Sequence, residues 1–100
     1  MIVVDGYVRL KKASDVEKIR PFAEAQIAAS RAEAGCLDYG YAVDFLDPCL
    51  IRVSEKWESW AALEAHFKMP HMVVWRGHLS DIDIEGRVIS AHEVTDTRPL

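Results

Sequence analysis

From Ile2 the chain alternates. Ile2, Val4, Val8 and Leu10 share one face, with Gly6 among them, and Val3, Asp5, Tyr7, Arg9 and Lys11 share the other. A period of two predicts a strand with one strongly apolar face. The period then lengthens. Ser14 opens SDVE, a capping-box pattern with Glu17 at the third helical position. Val16, Ile19, Phe22, Ala23 and Ile27 recur at helical spacing as far as about Ala34. Pro21 lies inside this helix, removes one backbone donor, and predicts a kink or a delayed regular start. Gly35 is the expected left-handed cap.

Alternation returns in CLDYGYAVDFL. Leu37, Tyr39, Tyr41, Val43 and Phe45 fall on one side, and Asp38, Gly40, Ala42 and Asp44 on the other. Asp47-Pro48 marks a turn, and LIRVSEKW is the next strand, with Ile51, Val53, Glu55 and Trp57 on one face. So short a connection predicts a hairpin. The helix SWAALEAHF places Trp60, Leu63 and Phe67 on one stripe with His66 beside it. Pro70 stops that helix and starts another, HMVVWRGHL. SDIDIEG reads as a loop or short bridge, RVISAHEV as the last strand and TDTRPL as a tail. The order is β-α-β-β-α-β with the second helical region split at Pro70. It predicts an α+β, ferredoxin-like fold over residues 1–100 as a single domain, an antiparallel sheet with helices on one face. The face left open carries Val3, Tyr7, Gly40 and Ala42, and predicts a homodimer packed sheet to sheet.

Composition narrows the partners. Half of the 100 residues are hydrophobic, generous for a core this small, so some apolar surface is expected to be buried against another subunit. A net charge of -4 and the lack of any basic run argue against nucleic acid and against an acidic membrane surface. The start MIVVDGYVRLKK has its positive charges after its apolar run, the reverse of a secretory signal, and no stretch has the roughly 20 apolar residues of a membrane span. The chain is therefore expected to be cytoplasmic, with Cys36 and Cys49 reduced.

The candidate chemistry gathers between Glu55 and Met72. An imidazole at the end of an apolar helix, as at His66, either packs and bonds a backbone carbonyl or transfers protons at neutral pH. His71 follows Pro70 near a helix start, where it is either a half-exposed cap or a neighbour of free backbone donors able to hold an oxyanion. The two histidines are five apart and split by a proline, so they do not form the i, i+4 zinc pair, and no metal is expected. Trp57, Trp60, Phe67 and Trp75 read first as core, although a flat aromatic ligand would want such walls. Glu55 shares a strand face with apolar residues and calls for an ion-pair partner among Arg9, Arg31 and Arg76. Cys36 has no base beside it in the sequence. No phosphate loop or dinucleotide fingerprint occurs, so no cofactor is expected.

The stretches RAEAGCLDYGYAVD and DPCLIRVSEKWESWAALEAHFKMPHM resemble the antibiotic biosynthesis monooxygenase domain family, in its quinol-monooxygenase-like form. Glu33, Gly35, Cys36, Glu55, Trp57, His66, Pro70 and His71 match the family pattern in order and spacing. The resemblance implies a dimeric α/β barrel of two ferredoxin-like subunits, with a pocket between helices and sheet in each. It also implies a cofactor-independent monooxygenase acting on a quinol or hydroxylated aromatic. His66 would be the catalytic base, with Trp57, Phe67, His71, Trp75 and Tyr41 as the substrate pocket. The alternatives are a proton-transfer isomerase of a small carbonyl compound and a non-catalytic dimeric ligand-binding module. One departure stands out. The chain has no Asn, the residue that some oxygenases of the family and its haem-degrading branch place near the reacting centre. Trp75 and Arg76 also lie near where the haem branch carries its iron-ligating histidine.

Overall fold

The computed structural model describes residues 1–100. Strand β1 is Ile2–Leu10, helix α1 Ser14–Arg31, strand β2 Cys36–Val43, strand β3 Leu50–Trp57, helix α2 Trp60–Phe67, helix α3 Pro70–Leu79 and strand β4 Ile84–Glu93. The strands form one antiparallel sheet in the order β2-β3-β1-β4, the ferredoxin-like arrangement. Val4 pairs with Glu55 and Ala91, Gly6 with Val53 and Ile89, and Val8 with Ile51 and Arg87. On β2, Tyr39 stands opposite Glu55 and Tyr41 opposite Val53. Because side chains alternate, these residues share one face, and the helices cover it. Ile2, Val4, Tyr39, Trp57 and Leu63 form one core cluster, and Ile19, Met72 and Trp75 a second nearer α3.

Gly6 makes the centre of the sheet possible. Its φ is +150°, and a Cβ there would lie 2.0 Å from the Val88 carbonyl oxygen on β4. Only glycine fits so close an approach. On the opposite face a guanidinium from Arg52 lies 5.8 Å from the Tyr7 ring centroid, and Asp5 bonds His92 at 3.2 Å. That face is mixed rather than apolar. No helix is long and apolar enough to cross a membrane.

Local readings fail where tertiary contacts intervene. Ala13, not Ser14, caps α1, and it makes no side-chain bond. Glu17 instead pairs with Arg20 at 2.7 Å, so the capping box is not used. The helix runs unbroken across Pro21 and ends at Arg31, short of Ala34. Gly35 does adopt a left-handed φ of +83°, but in the turn before β2, where it lies against Ala62 of α2. A bulge between Cys36 and Asp38 turns Leu37 outward, and Phe45 lies beyond the end of β2. On α2 the buried residues are Leu63 and His66, while Trp60 and Phe67 are about half exposed. β4 begins at Ile84, because Leu10 pairs with that residue past a bulge at Glu85 of β4.

Candidate active site

Three elements bring one carboxylate between two imidazoles. Glu33 sits in the turn after α1, His66 near the end of α2, and His71 on the first turn of α3. Ser59 caps α2 by accepting the Ala62 amide, and Pro70 at the first position of α3 redirects the chain, so the two histidines meet across the break. Glu33 Oε2 accepts from His66 Nδ1 at 2.6 Å and from His71 Nε2 at 2.9 Å. Its side chain is 6% exposed, against 1% for His66 and 20% for His71. The other nitrogen of His71, Nδ1, lies 2.7 Å from Gln26 Oε1. Gln26 Nε2 in turn lies 3.2 Å from the Tyr39 hydroxyl and 3.3 Å from Ser30 Oγ, and the Tyr39 and Tyr41 hydroxyls are 2.5 Å apart. A continuous polar network thus links His66 to Tyr41 through an otherwise apolar interior. Glu33 uses the proton on His71 Nε2. In the neutral ring Nδ1 is then the acceptor, taking the Gln26 amide with that group turned over, and only the doubly protonated ring donates there to the Gln26 carbonyl.

His66 is the chemically open member. Its Nδ1 donates to Glu33, which fixes the tautomer and leaves Nε2 as a lone-pair nitrogen. Nε2 has no bond within the chain, yet no buried polar side-chain atom is sealed off without a partner. Nε2 therefore opens onto the cavity that His66 lines. Burial pushes the His66 pKa below the ordinary histidine value, against the Glu33 carboxylate, which pulls it up. The resident form at neutral pH is a neutral imidazole with its basic nitrogen facing the cavity.

That cavity has a volume of about 560 Å³ and lies between the sheet and all three helices. Its walls are mostly apolar, with Ile19 and Ile27 from α1 and Val4, Ile51, Val53 and Ile89 from the sheet. Arg20, Glu24, Arg76 and Arg87 stand at its exposed rim. Tyr41, Phe67 and Trp75 lie on its wall, Tyr41 and Trp75 stacked at 5.6 Å between centroids. Trp57 and His71 do not. Trp57 is sealed behind His66, with ring centroids 4.6 Å apart, and His71 lies behind Glu33. Burial pushes the Tyr39 and Tyr41 hydroxyls upward, so both stay protonated.

Glu55 has none of the expected cationic partners. Arg9 bonds Asp47, Arg31 donates to the Tyr39 carbonyl, and Arg76 to the Phe67 carbonyl. The indole N–H of Trp57 donates to Glu55 Oε1 at 2.9 Å instead. The Glu-x-Trp spacing could have indicated this bond, because residues two apart on a strand share a face. Gln26 lies three residues after Ala23 and seven after Ile19, on the stripe that helical spacing turns inward, and that spacing could have marked it as buried. Burial also raises the Cys36 thiol, keeping it from the reactive thiolate form.

The carboxylate and two imidazoles have their ligating atoms within 4.8 Å of one another, a set the sequence spacing did not reveal. Two ligands at zinc distances in tetrahedral geometry would stand about 3.3 Å apart. The 2.6 and 2.9 Å separations are those of donors sharing protons with a carboxylate. The set as folded is a hydrogen-bonded cluster.

Known proteins resemble this chain in sequence or in fold. A Synechocystis protein, "Uncharacterized protein sll1783", is 27% identical over 99 residues, which cover 99% of this chain and 67% of that protein. A Deinococcus radiodurans structure, provisionally described as an antibiotic biosynthesis monooxygenase, superposes with a TM-score of 0.90 at 22% identity, covering 100% of this chain and 98% of its own. Rv0793 of Mycobacterium tuberculosis gives a TM-score of 0.83 at 19% identity, covering 99% and 100%. The family model described as antibiotic biosynthesis monooxygenase matches residues 1–77, from β1 into α3, a span that includes Glu33, His66 and His71, and the chain belongs to that family.

Proposed function

We propose that the protein is a monooxygenase that needs no bound cofactor and acts on a quinol or a similarly hydroxylated aromatic. One observation carries this reading: the free Nε2 of His66, oriented by Glu33, faces a largely apolar cavity of about 560 Å³. A cavity of that size suits a small planar molecule. His66 takes the phenolic proton, and a water-poor wall leaves the resulting oxyanion electron-rich. The oxyanion reduces O₂. One oxygen atom enters a ring carbon and the other leaves as water, with all electrons supplied by the substrate, so that a quinol becomes a hydroxyquinone. Tyr41, Phe67 and Trp75 hold the ring.

The working unit in this reading is a homodimer joined through the open sheet face, in the cytoplasm. Two measures of the isolated chain support a missing partner. Its accessible surface is 6513 Å², against about 5,700 Å² for a monomer of this mass. Its radius of gyration is 13.8 Å, against about 12.7 Å for a compact 100-residue domain. Sedimentation at low micromolar concentration should give a dimer, and a stable folded monomer would overturn that part. The test of the activity is oxygen uptake on a quinol panel in metal-free buffer with no cofactor added. Wild type should consume oxygen, and a folded His66→Gln should not. Normal turnover by the variant would overturn the assignment of His66.

A further inference from the structure

We infer that Glu55 is a second proton-transfer residue of the same cavity, acting as an acid where His66 acts as a base, and that the pair catalyses oxygen-independent enolisation of planar cyclic ketones. The inference rests on the reading of His66 as a base. It begins from an atom the proposed oxygenation does not use.

Glu55 lies mid-sheet on the helix-covered face, between Val4 and Tyr39 in register, and is 7% exposed. Only one of its oxygens has a partner, Oε1, which accepts the Trp57 indole N–H at 2.9 Å. Oε2 bonds nothing in the chain. Since no buried side-chain oxygen is closed off without a partner, Oε2 opens onto the cavity that Glu55 lines. His66 Nε2 reaches the same space by the same reasoning. The two groups flank one residue, Trp57, whose indole bonds Glu55 and packs against the His66 ring.

Burial shifts the two groups in opposite directions. No cation bonds Glu55, burial disfavours its charge, and the nearby Glu33 charge disfavours it further. The Trp57 indole N–H on Oε1 opposes these first, and Arg87 at the cavity rim adds to it from a distance. The balance raises the proton affinity of Glu55 above that of an ordinary glutamate, and with Trp57 donating to Oε1, a proton taken up by the group sits on Oε2. Burial lowers the proton affinity of His66 and raises that of Glu55, so the two converge and each can exchange a proton with a bound substrate.

The step balances without an oxidant. A ring ketone lies flat against Tyr41 and Trp75 with its carbonyl oxygen toward Glu55. The α C–H bond breaks, and its proton goes to His66 Nε2. The C–H electron pair forms the C=C bond, and the carbonyl oxygen takes the proton from Glu55 Oε2. The product is the enol, and exchange with water returns the imidazolium and carboxylate to their resting forms.

The experiment follows solvent deuterium entering the α-positions of β-tetralone by NMR, under argon, with thermal melts of every variant. Wild type should exceed the buffer rate. Glu55→Gln keeps the shape and a hydrogen-bond donor but cannot give up a proton, so the rate should fall about 10²-fold or more, mainly in kcat. Glu55→Asp should recover part of it. Exchange at the wild-type rate in a folded Glu55→Gln, with His66→Gln inactive, overturns the role of Glu55 and leaves His66 standing. Exchange unaffected by His66→Gln overturns both. Exchange present in a wild type that takes up no oxygen sinks the oxygenase reading alone. If Glu55→Gln does not fold, infrared spectra of wild type decide. A protonated-carboxyl band at neutral pH supports the inference, and its absence overturns it.

Discussion

Glu33→Gln tests the centre of the site most directly. The substitution keeps the shape of the side chain and an acceptor oxygen, and removes the charge. In the folded protein that oxygen receives two imidazole N–H groups at 2.6 and 2.9 Å, almost wholly shielded from water. A bond to a charged group contributes about 1.5–3 kcal/mol, and one between neutral groups about 1. Two bonds that drop from the first class to the second lose about 1–4 kcal/mol together. For a domain of this size each kcal/mol moves Tm by about 4–8 °C, so the variant should melt roughly 5–30 °C lower. Catalysis should fall as well. The carboxylate raises the proton affinity of His66 against burial and holds its Nδ1 proton in place. Without the charge Nε2 is a weaker and less oriented base, and oxygen uptake on an accepted quinol should drop about 10–100-fold, inside the range general-base catalysis spans. Thermal melts by circular dichroism and an oxygen electrode measure both. A variant that melts and turns over like wild type would refute the argument. A lower Tm with full turnover would reduce Glu33 to a staple.

Gly6→Ala should abolish stable folding or cost at least about 3 kcal/mol, because the new methyl meets backbone 2.0 Å away at a φ few L-residues adopt. A melt close to wild type would show that the β1–β4 contact gives way. The folded state lowers the His66 pKa, so below about pH 6.5 the unfolded chain binds the proton more readily and stability declines as pH falls toward the folded value. The difference in urea midpoint between wild type and His66→Gln should therefore vary between pH 7 and pH 5, and a constant difference would contradict the assigned direction. Haemin should not bind stoichiometrically or bleach under reductant, given a chain with no Asn and a Trp75 committed to stacking on Tyr41. A saturable Soret band would prove that wrong.

Element type and order were legible in the sequence because they depend on local periodicity. The period-two runs at Ile2, Cys36 and Leu50 and the helical spacing after Ser14 are visible whatever the rest of the chain does. Pro70 marked the break between α2 and α3 because a missing backbone donor is a local fact. Register and facing were not local. The bulge at Leu37 needed β3 as its partner, and the start of β4 at Ile84 needed Leu10. The stripe on α2 pointed to Trp60 and Phe67, yet His66 took the buried position. An imidazole can be buried there because Glu33, 33 residues earlier, meets its Nδ1. Sequence spacing cannot express that, because the partner comes from another element. The same holds for the partner of His71 in Gln26, and for the arginines that turned elsewhere and left Glu55 to Trp57. The sequence alone determined which chemistry-bearing residues were available. Which of them share protons, and which single atoms stay unpaired and open to the cavity, was decided by how the helices pack on the sheet, because hydrogen bonds are satisfied between elements that only the folded chain brings together.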